Sequence, residues 1–425
     1  MGQYQKAKRG SIGIMDERGL FRVALGLDEP WEVTKIEFSA EKQRLDIYLD
    51  FPRGSKFSCP ECKDACGVYD TAAQAWRHLN FFQHTTYLHA RHPRVECDEH
   101  GVRRVMVPWA RPGAGFTLLF EALIMVLAKN NMTPNGIGRL IGEHDTRIWR
   151  VLEYYVDASL AKQDQSEVTR VGVDETSRAK GHDYVSIFAD MDERKVIFVA
   201  DGKNHGTVQE FKGNLEAHGG TVDNVTDFSL DMSKAFIKGI LEEFKNAHLT
   251  FDKFHVIKLM NDAVDQVRRE EQQTRPELKK TRYVWLKNEE NLTENQKEVF
   301  NASRLSTLKT ARAFRIRETL QDLYGQEYEQ AEDFLNWWYF WATHSRLPQV
   351  IKVAKTIKAH WEGVMRWFVS KLNNGFMEGI NSLVQAAKAR SRGYRSTRKM
   401  KVIYLIAGKL DFDLPNVLQP ATHTK

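Results

Sequence analysis

The chain has 425 residues, of which 42% are hydrophobic and 11% aromatic, and at about 150 residues per domain this length predicts two to four domains with packed cores. No uninterrupted apolar run approaches the ~18 residues of a membrane-spanning helix, and the polar, basic N-terminus is unlike a secretory signal, so we expect a cytoplasmic protein that does not contact a membrane. The formal charge of +6, from 62 basic and 56 acidic side chains, is compatible with a nucleic-acid partner but does not establish one.

Residues 1–50 form the first predicted segment, and its second half alternates apolar and polar side chains. Two such runs, 33–38 and 45–49, are separated by a polar turn. A period of two is typical of strands with one buried face, so this segment predicts a β-hairpin that leads into the next module.

All four cysteines fall in a predicted zinc-binding β module, residues 51–110. Cys59 and Cys62 form a C-x2-C pair, and Cys97 with His100 forms a C-x2-H pair, so two tight turns can supply the four corners of one structural Zn²⁺ site. The stretch between the pairs predicts short strands that bury too little apolar surface to fold alone, and a metal ion stabilises such folds. Ordinary or redox-paired thiols remain alternatives, as do other ligands: Cys66, His78, His84, His89 and His92.

Residues 111–165 change to a helical period after a break that is rich in proline and glycine. Two short helices, 134–141 and 145–155, are joined by a turn that contains glycine. This pattern is typical of a helix-turn-helix, although many helical hairpins share it. We predict a DNA-binding domain in which Arg147 and Arg150 of the second helix face outward and contact DNA.

Residues 166–268 begin with three strand candidates at hairpin spacing and continue with alternating helices and strands. This is the element order of the RNase H-like fold, so we predict the first part of an α/β catalytic domain. Residues 269–345 are helical and predict an all-α insertion, after which 346–425 complete the catalytic domain. The predicted fold class is therefore multidomain α+β. Four tryptophans of the insertion are interpreted either as core residues or as side chains that stack on an unpaired base: Trp285, Trp337, Trp338 and Trp341.

Three acidic residues form the candidate catalytic site. Asp174 ends the first strand of this domain and Asp231 ends the fourth, and these strands are predicted neighbours. Glu378 shares one polar helix face with Asn374 and Asn381, because their spacings are four and three residues. Carboxylates that converge in this way hold two Mg²⁺ or Mn²⁺ ions for phosphoryl transfer. Singly, each also fits a helix cap or a solvated side chain, and four other acids remain candidates: Glu175, Asp190, Asp201 and Asp227.

Asp252 and His255 lie one helical turn apart, directly after the strand that follows Asp231. Their predicted role is a supporting pair that orients the metal ligands or the substrate. The alternative interpretation is a helix cap beside a packed histidine.

A run of basic residues without one acid occupies 388–401. Solvated helix faces usually mix both signs of charge, so this run predicts contacts with DNA phosphates and salt-sensitive binding. Its predicted phosphate-contacting residues are Lys388, Arg390, Arg392, Arg395, Arg398 and Lys399.

With these motifs in this order, the chain resembles the insertion-sequence transposases of the ISL-three family, a branch of the DDE transposases, from about residue 50 onward. Beyond the zinc module and the helix-turn-helix, the resemblance is carried by these stretches: Val-Gly-Val-Asp174-Glu-Thr, Asp231-Met-Ser-Lys-Ala, Phe-Asp252-Lys-Phe-His255, Leu286-Lys-Asn-Glu-Glu-Asn-Leu-Thr293, Asn374-Gly-x-x-Glu378-Gly-x-Asn381 and Ala389-Arg-x-Arg-Gly-Tyr-Arg395.

The resemblance implies that Asp174, Asp231 and Glu378 are the catalytic triad and that Asp252 and His255 form the D-x-x-H element of the family. It also implies binding of terminal inverted repeats and of target DNA, metal-dependent strand cleavage and strand transfer, and a homodimer or larger synaptic oligomer. Such an enzyme works in the bacterial cytoplasm and is associated with the nucleoid when it is bound to DNA.

Two other classes of protein share parts of this pattern. A transcriptional regulator with an inactive catalytic domain would use the zinc module and the helix-turn-helix alone. A structure-selective nuclease on the same fold would cut branched DNA without joining it.

Overall fold

The computed structural model describes residues 16–179, 183–303, 307–394 and 396–414. The protein is a mixed α/β protein with two sheets. It divides into two compact units, one that runs up to residue 130 and one that comprises residues 131–412. None of the described helices combines the length and the apolar character that a membrane crossing requires.

The first unit is built on a six-stranded sheet of order β1-β2-β5-β4-β3, with β6 paired to β5. Its elements are α1 (Glu17–Ala24), β1 (Glu32–Ser39), β2 (Arg44–Asp50), β3 (Lys56–Ser58), β4 (Ala65–Phe81), β5 (His84–Cys97), β6 (Gly101–Arg104) and α2 (Leu118–Lys129). The predicted hairpin is confirmed, because β1 and β2 pair antiparallel.

The prediction of short strands in the cysteine-bearing segment was wrong, since β4 has 17 residues and β5 has 14. The physical reason is that β2 pairs in parallel with β5, so the hairpin joins the same sheet. A shared core then forms in which the indole of Trp109 packs edge-on against Trp31 at 4.8 Å and against Trp76 at 5.6 Å. Residues on both sides of position 50 thus bury one common apolar surface.

The second unit is built on a five-stranded sheet flanked by helices. Its elements are α3 (Pro134–Ile141), α4 (Asp145–Leu160), β7 (Arg170–Ala179), β8 (Asp183–Asp190), β9 (Lys195–Asp201), α5 (Gly206–Ala217), β10 (Asp227–Leu230), α6 (Lys234–Glu243), β11 (His248–Phe251), α7 (Lys253–Glu271), α8 (Arg282–Leu286), α9 (Glu294–Ser303), α10 (Lys309–Asp322), α11 (Tyr328–Thr343), α12 (Pro348–Ala359), α13 (Trp361–Ser370), α14 (Gly375–Arg390) and α15 (Thr397–Ala407).

The strand order of this sheet is β11-β10-β7-β8-β9. Strands β7, β8 and β9 form an antiparallel meander, as their hairpin spacing predicts. Strands β10 and β11 then run parallel to β7, and the helices between them make the crossovers that parallel pairing requires. The predicted strands at these five positions are therefore confirmed.

The described residues between β11 and α14 contain helices and no strand. Helix α7 packs against α10 and α12, and α13 packs against the edge strand β11. The indoles of Trp285 and Trp338 are fully buried, and Trp338 donates a hydrogen bond to the carbonyl of Ile316 at 2.8 Å. Trp337 is 55% exposed. Residues 285 and 338 therefore belong to the core.

The two short helices α3 and α4 are bounded by the predicted local signals. Thr133 caps α3 through its hydroxyl, and Gly142 ends it with a left-handed φ of 74° that favours glycine. Helix α4 continues to Leu160, five residues beyond the end expected from the sequence, because its apolar face stays buried through Val156. Part of that face lies against α15 and the loop before it, where Trp149 contacts Tyr394 edge-on at 6.0 Å.

Candidate active site

Three aspartates lie at one level across three adjacent parallel strands, at the point where β10 and β11 end. The prediction that Asp174 ends its strand was wrong, because β7 stays paired with β8 and continues to Ala179. Ser229 of β10 is level with Gly172 of β7, so Asp231 is level with Asp174 two residues later. Leu230 is level with Phe251 of β11, so Asp231 is also level with Asp252. Because neighbouring strands lie about 4.8 Å apart, this register gathers the three carboxylates at one edge of the sheet.

Asp174 is held in a fixed orientation at this edge. Its Oδ1 accepts the backbone N–H of Glu175 at 2.8 Å, and its Oδ2 accepts the side-chain amide of Asn381 at 2.6 Å. Burial, together with the nearby charges of Asp231 and Glu378, raises the pKa of Asp174 to about 6 against the lowering effects of the Glu175 N–H and His255. The carboxylates of Asp231 and Glu378 therefore both lie close enough to Asp174 to act on it electrostatically.

Asp252 ties two helices to the end of β11. The side chain is buried, its Oδ1 accepts the N–H of Phe254 in the first turn of α7, and its Oδ2 accepts the N–H of Asn374 at the start of α14. The predicted cap is thus present, and the same carboxylate also positions the helix that carries Glu378.

Glu378 lies with Asp252 and His255 in a tight group, whose possible ligand atoms are all within 4.8 Å of one another. Oε1 of Glu378 and Nε2 of His255 are buried and have no hydrogen-bond partner among the described residues. Burial and the Asp252 carboxylate raise the pKa of Glu378, whereas the charges of His255 and Lys258 lower it. Buried polar atoms without a partner are costly in a folded protein, and both of these atoms belong to side-chain types that can bind a metal ion.

Asp174 and Asp231 are not part of that tight group, so the described side chains bring Glu378 closest to Asp252 and His255. The three predicted triad residues nevertheless converge on one edge of one sheet, together with both residues of the predicted supporting pair. Among the described residues, Asp252, His255 and Glu378 form the group at this site whose atoms lie close enough to hold one ion. Its two carboxylates are of the ligand type that hard divalent cations prefer.

A row of hydrogen bonds joins α14 to β7 and sets the relative position of Glu378 and Asp174. Besides the amide of Asn381, Gln385 donates to the hydroxyl of Thr176 at 2.8 Å. The buried hydroxyl of Tyr404 on α15 donates to Oδ1 of Asn381 at 2.8 Å, which fixes the orientation of that amide. The helix can approach the strand closely because position 172 is glycine, where a Cβ would lie 2.7 Å from the sulfur of Met377.

Sequence reasoning placed Asn381 beside Glu378 but did not assign its contact with Asp174, and it missed Tyr404 and Gln385 altogether. The spacing of Asn374, Glu378 and Asn381 was the available signal. No spacing in the sequence links Tyr404 to the site, because Tyr404 lies on a separate helix, α15.

Each of the four competing acids has a different partner. Glu175 pairs with Lys203 at 3.4 Å, Asp190 accepts the N–H groups of Asp192 and Glu193, Asp201 pairs with Lys401 at 3.2 Å, and Asp227 pairs with Arg366 at 2.8 Å. Glu175 also lies close enough to Asp231 for that charge to raise its pKa. The row of aspartates with Glu378 stays the candidate site.

Cys59, Cys62, Cys97 and His100 form a second group whose ligand atoms all lie within 4.8 Å of one another. The sulfurs of Cys62 and Cys97 are 3.6 Å apart, and Nδ1 of His100 lies 3.6 Å from Cys97 and 4.0 Å from Cys59. Zinc bonds of about 2.3 Å to sulfur and 2.0 Å to nitrogen imply edges of about 3.5–3.8 Å in a tetrahedron. The four predicted ligands therefore fit a structural Zn²⁺ ion.

The other candidate zinc ligands make different contacts. Cys66 donates to the carbonyl of Asp64, His78 bonds to Thr117, His84 packs on Phe38, His89 bonds to Asp46, and His92 bonds to Gln74 and the carbonyl of Val105.

The predicted DNA-contacting residues fall in several environments. Arg147 pairs with Glu143 at 2.5 Å on α4, and Arg150 is exposed on the same helix. Arg395 lies outside the described residues. The remaining five, on α14, α15 and the loop between them, are Lys388, Arg390, Arg392, Arg398 and Lys399.

Comparisons with known proteins agree along the chain. A model of the DDE transposases of family ISL3, described as transposase, matches residues 171–404, and the helix-turn-helix domain of transposase family ISL3 matches 105–156. The zinc-finger of transposase IS204/IS1001/IS1096/IS1165 matches residues 55–100. Among curated proteins, the transposase for insertion sequence element IS1557 of Mycobacterium tuberculosis is 26% identical over 428 residues, covering 91% of this chain and 94% of that protein. The transposase for IS1001 of Bordetella parapertussis is 26% identical over 390 residues, covering 88% and 94%.

Proposed function

This chain belongs to transposase family ISL3, and from that membership we propose that it binds the terminal inverted repeats of an insertion sequence and catalyses metal-dependent DNA strand cleavage and strand transfer. It would do so in the bacterial cytoplasm, on the nucleoid. The observation that carries this proposal is that Asp231 is level with Asp174 on adjacent parallel strands and that the charges of Asp231 and Glu378 both act on Asp174.

The architecture that we propose for catalysis is an RNase H-like domain made of residues 166–268 and 346–425, interrupted by an all-α insertion at 269–345. The sheet order β11-β10-β7-β8-β9, with an antiparallel meander followed by two parallel strands, supports this assignment. The described residues between β11 and α14 form helices and no strand, which supports the all-α insertion.

We assign metal binding at this site to Asp174, Asp231 and Glu378, supported by Asp252 and His255. Two Mg²⁺ ions, or Mn²⁺ in their place, would supply activation of the nucleophile and charge stabilisation for an in-line displacement at phosphorus. The same site would first cleave at the transposon end and then direct the freed 3′-hydroxyl to a target phosphodiester.

The residues of the chain prepare this site before any ligand arrives. Asn381 and the backbone N–H of Glu175 fix both oxygens of Asp174. Nε2 of His255 lies buried at the site with no partner among the described residues, so it is available to a metal ion or to a substrate oxygen. The positive charge of Lys258 acts on Glu378, and in that position it would also offset the charge of a DNA phosphate.

DNA recognition is assigned to the first 165 residues, as the helix-turn-helix match supports. The zinc ion would stabilise the first unit, and the helix-turn-helix would hold the element ends through Arg147 and Arg150. Flanking DNA would contact the helical insertion, where Trp337 and Phe340 are exposed on α11 and offer surfaces on which a base can stack. Transposition requires both ends at once, so a homodimer or larger synaptic oligomer is part of the proposal.

A strand-cleavage and joining assay on the DNA that flanks the gene tests this function. With Mg²⁺, wild type should cut at the element end and join that end to target DNA, and Glu378→Gln should do neither. Asp190→Asn is the matched control, because Asp190 caps the β8–β9 turn through the N–H groups of Asp192 and Glu193 and is level with Val171, not with Asp174. Cutting without joining would indicate a structure-selective nuclease, and DNA binding with no cutting by wild type would indicate a regulator.

A further inference from the structure

A concave pocket of about 380 Å³ lies between the end of β7 and the loop that joins α14 to α15. Its lining includes Arg178, Gln385, Lys388, Arg392 and Tyr394. Three of these five side chains are cationic, and one carries a hydroxyl group.

The pocket continues the site that holds Asp174. Residues 174 and 176 alternate with their neighbours along β7, so they share one face of the sheet. Arg178 lies two residues further on, at a register shift in the pairing with β8, and it lines the pocket together with Gln385. Helix α14 covers that face, with Asn381 over Asp174 and Gln385 over Thr176. Four residues of strand span about 13 Å, so a DNA strand at Asp174 would reach Arg178 with a phosphate one or two nucleotides away.

Contacts within the second unit divide the basic run 388–401 into two groups. Four of its members have structural partners elsewhere: Arg390 donates to the carbonyl of Asn131, Arg398 pairs with Asp157, Lys399 lies over the ring of Trp149, and Lys401 pairs with Asp201. The exposed guanidinium of Arg392 has no partner among the described residues, and Lys388 is anchored at the pocket by the carbonyl of Ser177. Among the six basic residues of the run that the structure describes, the available charge is therefore concentrated at the pocket.

Two buried donors also lie at the pocket. Nε of Arg178, whose Nη2 pairs with Asp183, has no partner among the described residues, and the hydroxyl of Tyr394 lies beside the side chain of Ser391. Burial raises the pKa of Tyr394 to about 12, which keeps this hydroxyl protonated at neutral pH. Guanidinium, ammonium and hydroxyl donors around one cavity match the acceptor oxygens of a phosphate.

We propose that this pocket binds one phosphodiester of the DNA strand that enters the catalytic site, close to the phosphate that is cut. Such a contact fixes the register of the strand without reading its bases. It would place the scissile phosphate at Asp174, and it rests on the function proposed above.

Binding of a duplex that carries the genomic end of the element tests this pocket, with a neutral methylphosphonate placed at each position in turn and no Mg²⁺ present. The variants are Arg392→Gln and the matched control Arg194→Gln. Arg194 is an exposed arginine in the β8–β9 turn, at the opposite end of β8 from the Arg178–Asp183 pair. Both variants remove one charge from the same unit.

Arg392→Gln should weaken binding about tenfold and reduce the salt slope by about one, whereas Arg194→Gln should change neither. One methylphosphonate close to the cleavage site should weaken DNA binding by wild type by a similar factor. The same methylphosphonate should hardly weaken binding by Arg392→Gln, because the arginine that would contact this phosphate is already absent. The proposal is contradicted if Arg392→Gln and Arg194→Gln weaken DNA binding equally. It is also contradicted if every methylphosphonate weakens binding by the same factor in Arg392→Gln as in wild type.

A second variant, Tyr394→Phe, removes only the hydroxyl and should show the same positional selectivity with a smaller loss. Cleavage by wild type is measured in parallel to separate the two proposals. If wild type cuts the element ends but shows no positional selectivity, the pocket proposal is contradicted and the proposed function is not. A wild type that neither binds nor cuts contradicts the proposed function itself.

Discussion

At the scale of single residues, the buried carboxylate of Asp174 sets a pH dependence. Its pKa is raised to about 6, so the folded protein binds more protons than the unfolded chain between about pH 4 and pH 6. In protein dialysed free of Mg²⁺, ionisation of Asp174 therefore lowers the free energy of unfolding as pH rises through this window. Below pH 4 this penalty is absent.

Asp174→Asn should consequently stabilise the metal-free protein by about 2–3 kcal/mol at pH 7, with a difference from wild type that disappears near pH 4. Denaturant unfolding of both proteins across this range measures the effect. A variant that is less stable than wild type at pH 7 would show that burial and charge repulsion do not act on Asp174 as described.

The hydrogen bonds from Tyr404 to Asn381 and from Asn381 to Asp174 predict graded effects on metal use. Asn381→Ala removes a donor to Asp174 and should raise the Mg²⁺ concentration needed for half-maximal cleavage by about tenfold. Tyr404→Phe leaves that donor in place and should raise it less, with unchanged DNA affinity. Titrations of Mg²⁺ under cleavage conditions give the comparison, and equal Mg²⁺ requirements in all three proteins would contradict a positioning role.

At the scale of elements, helix α11 carries two adjacent tryptophans with opposite environments. Trp338 is fully buried and donates a hydrogen bond to Ile316, so Trp338→Ala should cost about 3–5 kcal/mol of stability. Trp337 is 55% exposed, and Trp337→Ala should change stability by less than about 1 kcal/mol. Thermal unfolding of the pair checks this ranking, which similar losses in the two variants would contradict.

Substitution of one predicted zinc ligand should release zinc, whereas substitution of the fourth cysteine, Cys66, should not. Cys62→Ser removes one corner of the four-atom group and should release the ion, which destabilises the first unit. Cys66→Ser should keep one zinc per chain, because Cys66 bonds to the carbonyl of Asp64 instead. Metal analysis of the purified variants measures both, and retention of zinc by Cys62→Ser would show that the ligand set is different.

Elements whose ends are set by local chemistry were predictable from the sequence. Thr133 and Gly142 mark the limits of α3, and alternating residues mark β1 and β2. Long strands β4 and β5 were not predicted, because their burial depends on pairing with β2, which lies far away along the chain. Local periodicity carries no information about such a partner.

At the scale of the whole molecule, the candidate site assembles residues from β7, β10, β11, α7 and α14, with the helical segment lying between α7 and α14 in the chain. The sequence could nominate Asp174, Asp231 and Glu378, because Asp174 lies on a strand, Asp231 follows a strand end and Glu378 lies on a polar helix face, although Asp174 is in the middle of β7 and not at its end. It could not show that Glu378 lies closest to Asp252 and His255, since this proximity follows from the hydrogen bonds that fix α14 against β7 and β11.

Asp174, Asp231 and Glu378 come from distant parts of the chain, and we propose that they share divalent cations. An anomalous difference map from crystals soaked in Mn²⁺ locates such ions directly. We predict density bounded by the carboxylates of Asp174, Asp231 and Glu378, and its loss in crystals of Asp231→Asn. Density confined to Asp252, His255 and Glu378, or no density at this edge of the sheet, would contradict the claim.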